Sequence, residues 1–188
     1  MNIDHKTALL LIDLQNGFED IEYWGGGRNN PDAELKASKI LKAWRDKGLP
    51  LYHVQHCSTT KGSPLESNMP GNEFMELTKP IENEPIIQKN VNSAFIGTDL
   101  KKQLDEKGIT KLVIVGLTTD HCISTTSRMA GNFGFETYLI EDALATFDKI
   151  GVNGEKYPAQ LIHDTALASL HEEFAMVITM SDLLEQEK

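Results

Sequence analysis

Only two cysteines, Cys57 and Cys122, occur in 188 residues, and no C-x-x-C pair is present. That scarcity excludes a disulfide framework and suits a reducing compartment. No apolar run approaches the roughly 20 residues of a membrane-spanning helix. The first residues also lack the apolar h-region of a signal peptide. Positive charge is in deficit, with 18 Lys and Arg against 28 Asp and Glu, a formal net charge of −10. This balance disfavours nucleic acid or an anionic membrane as partner. Glycine fingerprints for phosphate are missing too. Leu14-Gln-Asn-Gly stands where a dinucleotide-binding chain would place G-x-G-x-x-G, and there is no Walker spacing. What remains is an ordinary globular composition, 40% hydrophobic and 24% charged. The length suits a single domain over residues 1–188 with a substantial core. The expected location is cytoplasmic.

Strand and helix patterns alternate along the chain. Thr7–Asp13 is a continuous apolar run ending in a carboxylate. Residues 32–47 read as a helix, with Leu35, Ile40, Leu41 and Trp44 at helical spacing, Asp32 at its start and Gly48 at its stop. Further strands are expected at Leu51–Gln55, Ile86–Gln88, Leu112–Val115, Thr137–Ile140 and Ala175–Thr179. Helices are expected over about 98–107, 119–133 and 158–172, with Thr98 capping the first. Ser181 would cap a short final helix. Near-continuous apolar strands alternating with helices indicate a parallel sheet covered on both faces. The expected fold is a three-layer α/β/α sandwich with a mainly parallel, Rossmann-like sheet of about six strands, built by right-handed crossovers. Residues 14–31 and 56–85 read as long loops, the kind that carry function in compact α/β domains.

In open α/β sheets, ligands bind beyond the carboxyl ends of the strands. Asp13, Lys89 and Cys122 all fall at such ends. Taken singly, each has an ordinary explanation: a solvated carboxylate, a surface lysine, a core thiol. Together they bring a carboxylate, an ammonium and a thiol to one edge. Cys122 also stands where a strand turns into a helix, a position that favours the thiolate.

At these positions the chain resembles the isochorismatase-like cysteine hydrolases, a family that includes nicotinamidases and other small amidohydrolases. Leu10-Leu-Ile-Asp-Leu-Gln-Asn-Gly-Phe18 resembles the family's opening motif. Lys89-Asn-Val-Asn-Ser-Ala-Phe95 resembles its lysine motif, and Val115-Gly-Leu-Thr-Thr-Asp-His-Cys122 its cysteine motif. The resemblance implies a catalytic triad of Asp13, Lys89 and Cys122. It also implies a non-proline cis peptide at Leu117–Thr118 and an oxyanion hole made by the backbone N–H groups of Thr118 and Cys122. A thioester acyl-enzyme follows from such a set, and so does a substrate that is a small amide-like molecule cleaved with water. The resemblance implies a homo-oligomer as well.

His121 adjoins Cys122, but neighbouring residues at a helix start project about 100° apart, a poor geometry for a hydrogen-bonded pair. His163 and His171, eight residues apart on one predicted helix, lack metal-ligand spacing. Nicotinamidases carry a metal site near His53 and His56, yet Leu51-Tyr-His-Val-Gln-His-Cys57 contains no Asp. No metal and no cofactor are therefore expected. His56 lines the pocket or faces water from its loop; the sequence leaves both open. The remaining expected pocket residues are Gln15, Phe18, Trp24, Phe95 and Leu117. Trp24 with Gly25–Gly27 forms either a mobile lid or a subunit contact, and Gly62-Ser-Pro-Leu65 is placed to close the pocket from the other side. The leading reading is a cysteine-dependent hydrolase of a carbon–nitrogen bond. Isochorismatase-type vinyl-ether cleavage and nicotinamidase activity are the enzyme alternatives. A silent binding or thiol-redox protein on the same fold is the alternative from another class.

Overall fold

The computed structural model describes residues 3–185. Six strands form one parallel sheet: β1 (Thr7–Ile12), β2 (Leu51–His56), β3 (Ile86–Lys89), β4 (Lys111–Leu117), β5 (Glu136–Ala145) and β8 (Met176–Ile178). Their order is β3-β2-β1-β4-β5-β8, so β1 and β4 lie at the centre and the strand order reverses between them. A small antiparallel hairpin of β6 (Lys149–Ile150) and β7 (Lys156–Tyr157), absent from the sequence expectations, stands apart from this sheet.

The central strands read as unbroken apolar runs because both faces are covered. In β1, Ala8, Leu10 and Ile12 pack toward one core and Leu9 and Leu11 toward the other. In β4, Leu112 and Ile114 divide from Val113, Val115 and Leu117 in the same way. The first core is closed by α3 (Leu100–Glu106), α4 (Ser124–Asn132) and α5 (Ala159–Ala168) through Leu100, Leu104, Ala130 and Leu167. The second is closed by α2 (Ala33–Asp46) and α6 (Met180–Glu185) through Ile40, Leu41, Trp44 and Leu183. The result is the expected three-layer sandwich. One short helix, α1 (Ile21–Trp24), interrupts the first long loop.

Several local expectations need correction. Leu35 is exposed; the buried face of α2 runs instead through Ala33, Ala37, Ile40, Leu41 and Trp44. Helix α3 begins after Asp99, and the Thr98 hydroxyl donates back to the Ala94 carbonyl (2.6 Å). At the last helix Thr179, not Ser181, makes the capping contacts, because the Asp182 carboxylate accepts from both its amide (3.0 Å) and its hydroxyl (2.7 Å). His171 lies beyond the end of α5. None of the described helices is long and apolar enough to cross a membrane.

Parallel pairing puts the carboxyl ends of β1–β4 on one edge. His56 is in register with Lys89, and Ile12 with both Val54 and Gly116. Asp13 follows β1 directly with a left-handed φ of 54°, its amide donating to the Val54 carbonyl (2.9 Å). A turn in that region is tolerated by Asp better than by most residues.

Candidate active site

Asp13, Lys89 and Cys122 converge on that edge. The Lys89 ammonium donates to Asp13 Oδ2 (2.7 Å) and to Cys122 Sγ (3.3 Å), and lies 3.0 Å from His56 Nδ1. An ammonium has three N–H donors, and three acceptors stand around this one. The side chains of Asp13 and Lys89 are both 0% exposed. The second carboxylate oxygen, Asp13 Oδ1, is buried with no hydrogen-bond partner. It remains an open acceptor on a carboxylate that raises the pKa of the neighbouring thiol.

Burial pulls the Lys89 pKa down, but the Asp13 charge, with hydrogen bonds to Asp13 and Cys122, more than offsets it and leaves it raised. Burial and the Lys89 charge hold His56 below its ordinary value, so its ring accepts at Nδ1 as a neutral imidazole. Cys122 departs from expectation. Burial first, then the Asp13 charge, pushes its thiol well above the usual range, against the pull of Lys89. The physical reason is twofold. Cys122 is only 7% exposed, and it lies within a π-helical turn, Thr119–Ile123, ahead of α4 rather than at the N-terminus of that helix. The helix-end effect is worth about 0.3–1 kcal/mol, less than the desolvation of a buried charge. The resting sulfur is a thiol next to a carboxylate.

The peptide Leu117–Thr118 is cis. The Thr118 carbonyl accepts from the amides of His121 (3.1 Å) and Ile123 (3.2 Å), which closes the turn around Cys122. Thr119 is tied by its hydroxyl to His163 Nδ1 of α5 (2.9 Å), and Asp120 is hydrogen-bonded to the Thr146 hydroxyl.

Above the three residues opens a small cleft of about 100 Å³. Phe18, Trp24 and His56 line it, along with Thr118 and Cys122. Trp24 leans on Phe18 (ring centroids 4.7 Å apart) and donates from Nε1 to the Gly17 carbonyl (2.8 Å). Leu65 of the second loop also lines the cleft. Gln15, Phe95 and Leu117 are placed elsewhere. Gln15 clamps the backbone of His56, accepting from its amide (2.8 Å) and donating to its carbonyl (3.1 Å). Phe95 packs against Phe133 and Phe135, and Leu117 is buried in the core beneath. Asn92 and Lys149 join the lining without having been singled out from the sequence, and His121, set aside there as a partner of the thiol, joins it too. Asn92 sits inside the lysine motif and was legible by proximity; Lys149 arrives on a hairpin that no periodicity announced.

Among the described residues one trio, Asp13, His56 and Cys122, brings possible metal-ligand atoms within 4.8 Å of one another. Lys89 donates to, or abuts, all three of those residues, so a fixed positive charge already stands among them. His53 turns away and bonds Glu84 (2.8 Å). The nicotinamidase-type donor set is therefore not assembled.

A doubly covered parallel sheet with a buried carboxylate, ammonium and thiol under a small cleft defines a hydrolase-type α/β sandwich. The isochorismatase domain model matches residues 7–182, and the chain belongs to that family of hydrolases. It is 46% identical to the isochorismatase family protein YrdC of Bacillus subtilis, over 97% of this chain and 96% of the relative. It is 25% identical to nicotinamidase 3 of Arabidopsis thaliana, over 94% and 86% of the two chains. The crystal structure of an isochorismatase-family protein from Chromobacterium violaceum superposes with a TM-score of 0.93 at 40% identity, covering 98% of this chain and 94% of that one.

Proposed function

We propose that this chain is a cysteine-dependent hydrolase that cleaves a carbon–nitrogen bond of a small amide-type molecule, with Asp13, Lys89 and Cys122 as its catalytic residues. The observation that carries the reading is the single buried ammonium hydrogen-bonded to both the carboxylate and the sulfur at the floor of the cleft. The Arabidopsis relative, by its name an amidase, supports a carbon–nitrogen substrate.

The raised thiol pKa sets the order of events. Cys122 holds its proton at rest and gives it to Asp13 as its sulfur attacks the carbonyl carbon. The S–C bond forms and the carbonyl electron pair moves onto oxygen. The Thr118 and Cys122 amides receive that oxyanion, and Lys89 balances the charge at the sulfur. Collapse breaks the C–N bond, and Asp13 returns the proton to the departing nitrogen. A thioester remains. Water then gives a proton to Asp13 and adds to the thioester carbon; the C–S bond breaks and the sulfur recovers the proton. No net proton is consumed by the residues.

Cys57 and Cys122 are free thiols, which supports a cytoplasmic setting. Exposed Ile150 and Val152 on the hairpin, 69% and 101% exposed, support the homo-oligomer. The test is a screen of small amides, ureido acids and lactams for ammonia or amine release. Native protein should turn over at least one of them, and Cys122→Ala should lose that turnover with its circular dichroism unchanged. Retained activity in Cys122→Ala would remove the sulfur from the mechanism.

A further inference from the structure

We infer that the cleft selects an amide that also bears a carboxylate, and that Lys149 is the residue that recognises this anion. The inference rests on the reading of the cleft as a hydrolytic site and names its substrate class.

Lys89 is spent within the triad, so Lys149 is the cation that the lining itself presents. Its ammonium lies 3.4 Å from Asp120 Oδ2, and His121 Nε2 lies 3.4 Å from the same oxygen. Both separations exceed an ordinary N–H···O hydrogen bond. The other Asp120 oxygen is already taken by Thr146. Asp120 therefore orients Lys149 without satisfying its three N–H groups. Burial draws His121 below its ordinary pKa, with Asp120 opposing and Lys149 reinforcing, so at neutral pH the positive charge of this rim resides on Lys149.

The rest of the cleft fits a molecule with one anionic end. Phe18, Trp24 and Leu65 make an apolar wall, and the one indole donor there is used on the Gly17 carbonyl. The nucleophile marks the amide end. Asp120 is two residues before Cys122 in the same turn, so the charge on Lys149 is held at a fixed offset from the sulfur. With a formal net charge of −10, the protein as a whole repels anions. A carboxylate substrate needs a local cation at the mouth, and Lys149 supplies it.

Iodoacetate and iodoacetamide test this directly, since they are nearly isosteric and differ in charge. In each, the Cys122 sulfur loses its proton to Asp13, forms an S–C bond and displaces iodide. Labelling of Cys122→Ala subtracts the contribution of Cys57. Lys149→Met should lower the ratio of iodoacetate to iodoacetamide rates at Cys122 by roughly fivefold or more at low salt. Lys149→Arg should restore most of it. Equal ratios in the native protein and Lys149→Met would overturn the proposal. Matched amides with and without a terminal carboxylate supply the second arm. A KM raised by Lys149→Met only for the acidic member supports the inference, whereas a KM unmoved for both overturns it and leaves the hydrolase reading intact. A changed alkylation ratio with no amide turned over retains the anion site and removes the hydrolase.

Discussion

Buried at full depth, the Lys89 ammonium has one counter-charge, Asp13, and two neutral acceptors, His56 and Cys122. Removing either partner of such a pair strands the other charge in an apolar interior. We therefore expect Asp13→Asn and Lys89→Met each to cost about 3–5 kcal/mol of stability. The double variant should cost less than either alone, because no uncompensated charge remains. Urea denaturation of the four proteins reads both statements, and additive losses would contradict them. That Asp13, Lys89 and Cys122 share one edge was legible in the sequence because each falls at or beyond the carboxyl end of a strand. The tie between His56 and Lys89 was not. It depends on the pairing of β2 with β3, which places residues 33 apart side by side, and nothing in either strand encodes that register alone.

At the level of elements, the end of β4 shows what apolar runs do and do not reveal. Gly116 has a φ of 122°, and a Cβ there would lie 1.9 Å from the Ile12 carbonyl oxygen. Gly116→Ala should therefore destabilise the protein by at least about 3 kcal/mol, from the left-handed backbone and the contact together. A urea midpoint within error of the native one would refute this. The sequence placed β4 by its run of Leu, Val and Ile, and read residues 119–133 as one helix. The structure divides that segment into the π-helical turn and α4, with the His121 and Ile123 amides closing onto the Thr118 carbonyl, a backbone contact that side-chain spacing does not announce. The β6–β7 hairpin was missed for a related reason. Strands of two residues carry no alternation to detect, and Lys149 was lost with them.

For the molecule as a whole, acid is the weak side. His53, His56, His121 and His163 all fall below their ordinary value of 6.5, in each case through burial first. The unfolded chain then binds protons at a pH where the folded one does not. Their contribution to stability is complete above pH 6.5 and declines as pH falls toward the folded values. Burial alone would raise Glu84, but Arg45, the Ile81 amide and His53 hold it at about 2, which extends the loss from its ordinary 4.5 down to that pH. Urea midpoints should drop steadily from pH 7 to 5, before most carboxylates titrate. A midpoint independent of pH across that window would refute the histidine contribution.

The strand order also has a temporal meaning. Asp13 and Lys89 are 76 residues apart in the chain, and Lys89 and Cys122 are 33 apart. Asp13 follows β1, Lys89 ends β3 and Cys122 follows β4, and β2 lies between β3 and β1 in the sheet, so parallel crossovers rather than hairpins bring the three together. During synthesis the carboxylate emerges first and the sulfur last, and no contiguous piece shorter than the stretch from Asp13 to Cys122, about three-fifths of the chain, holds all three. The arrangement of carboxylate, ammonium and sulfur thus exists only once the central strands have found one another. The pairing that gathers these side chains involves β1 to β4 alone, so it asks nothing of β5 and β8, which follow Cys122 in the chain.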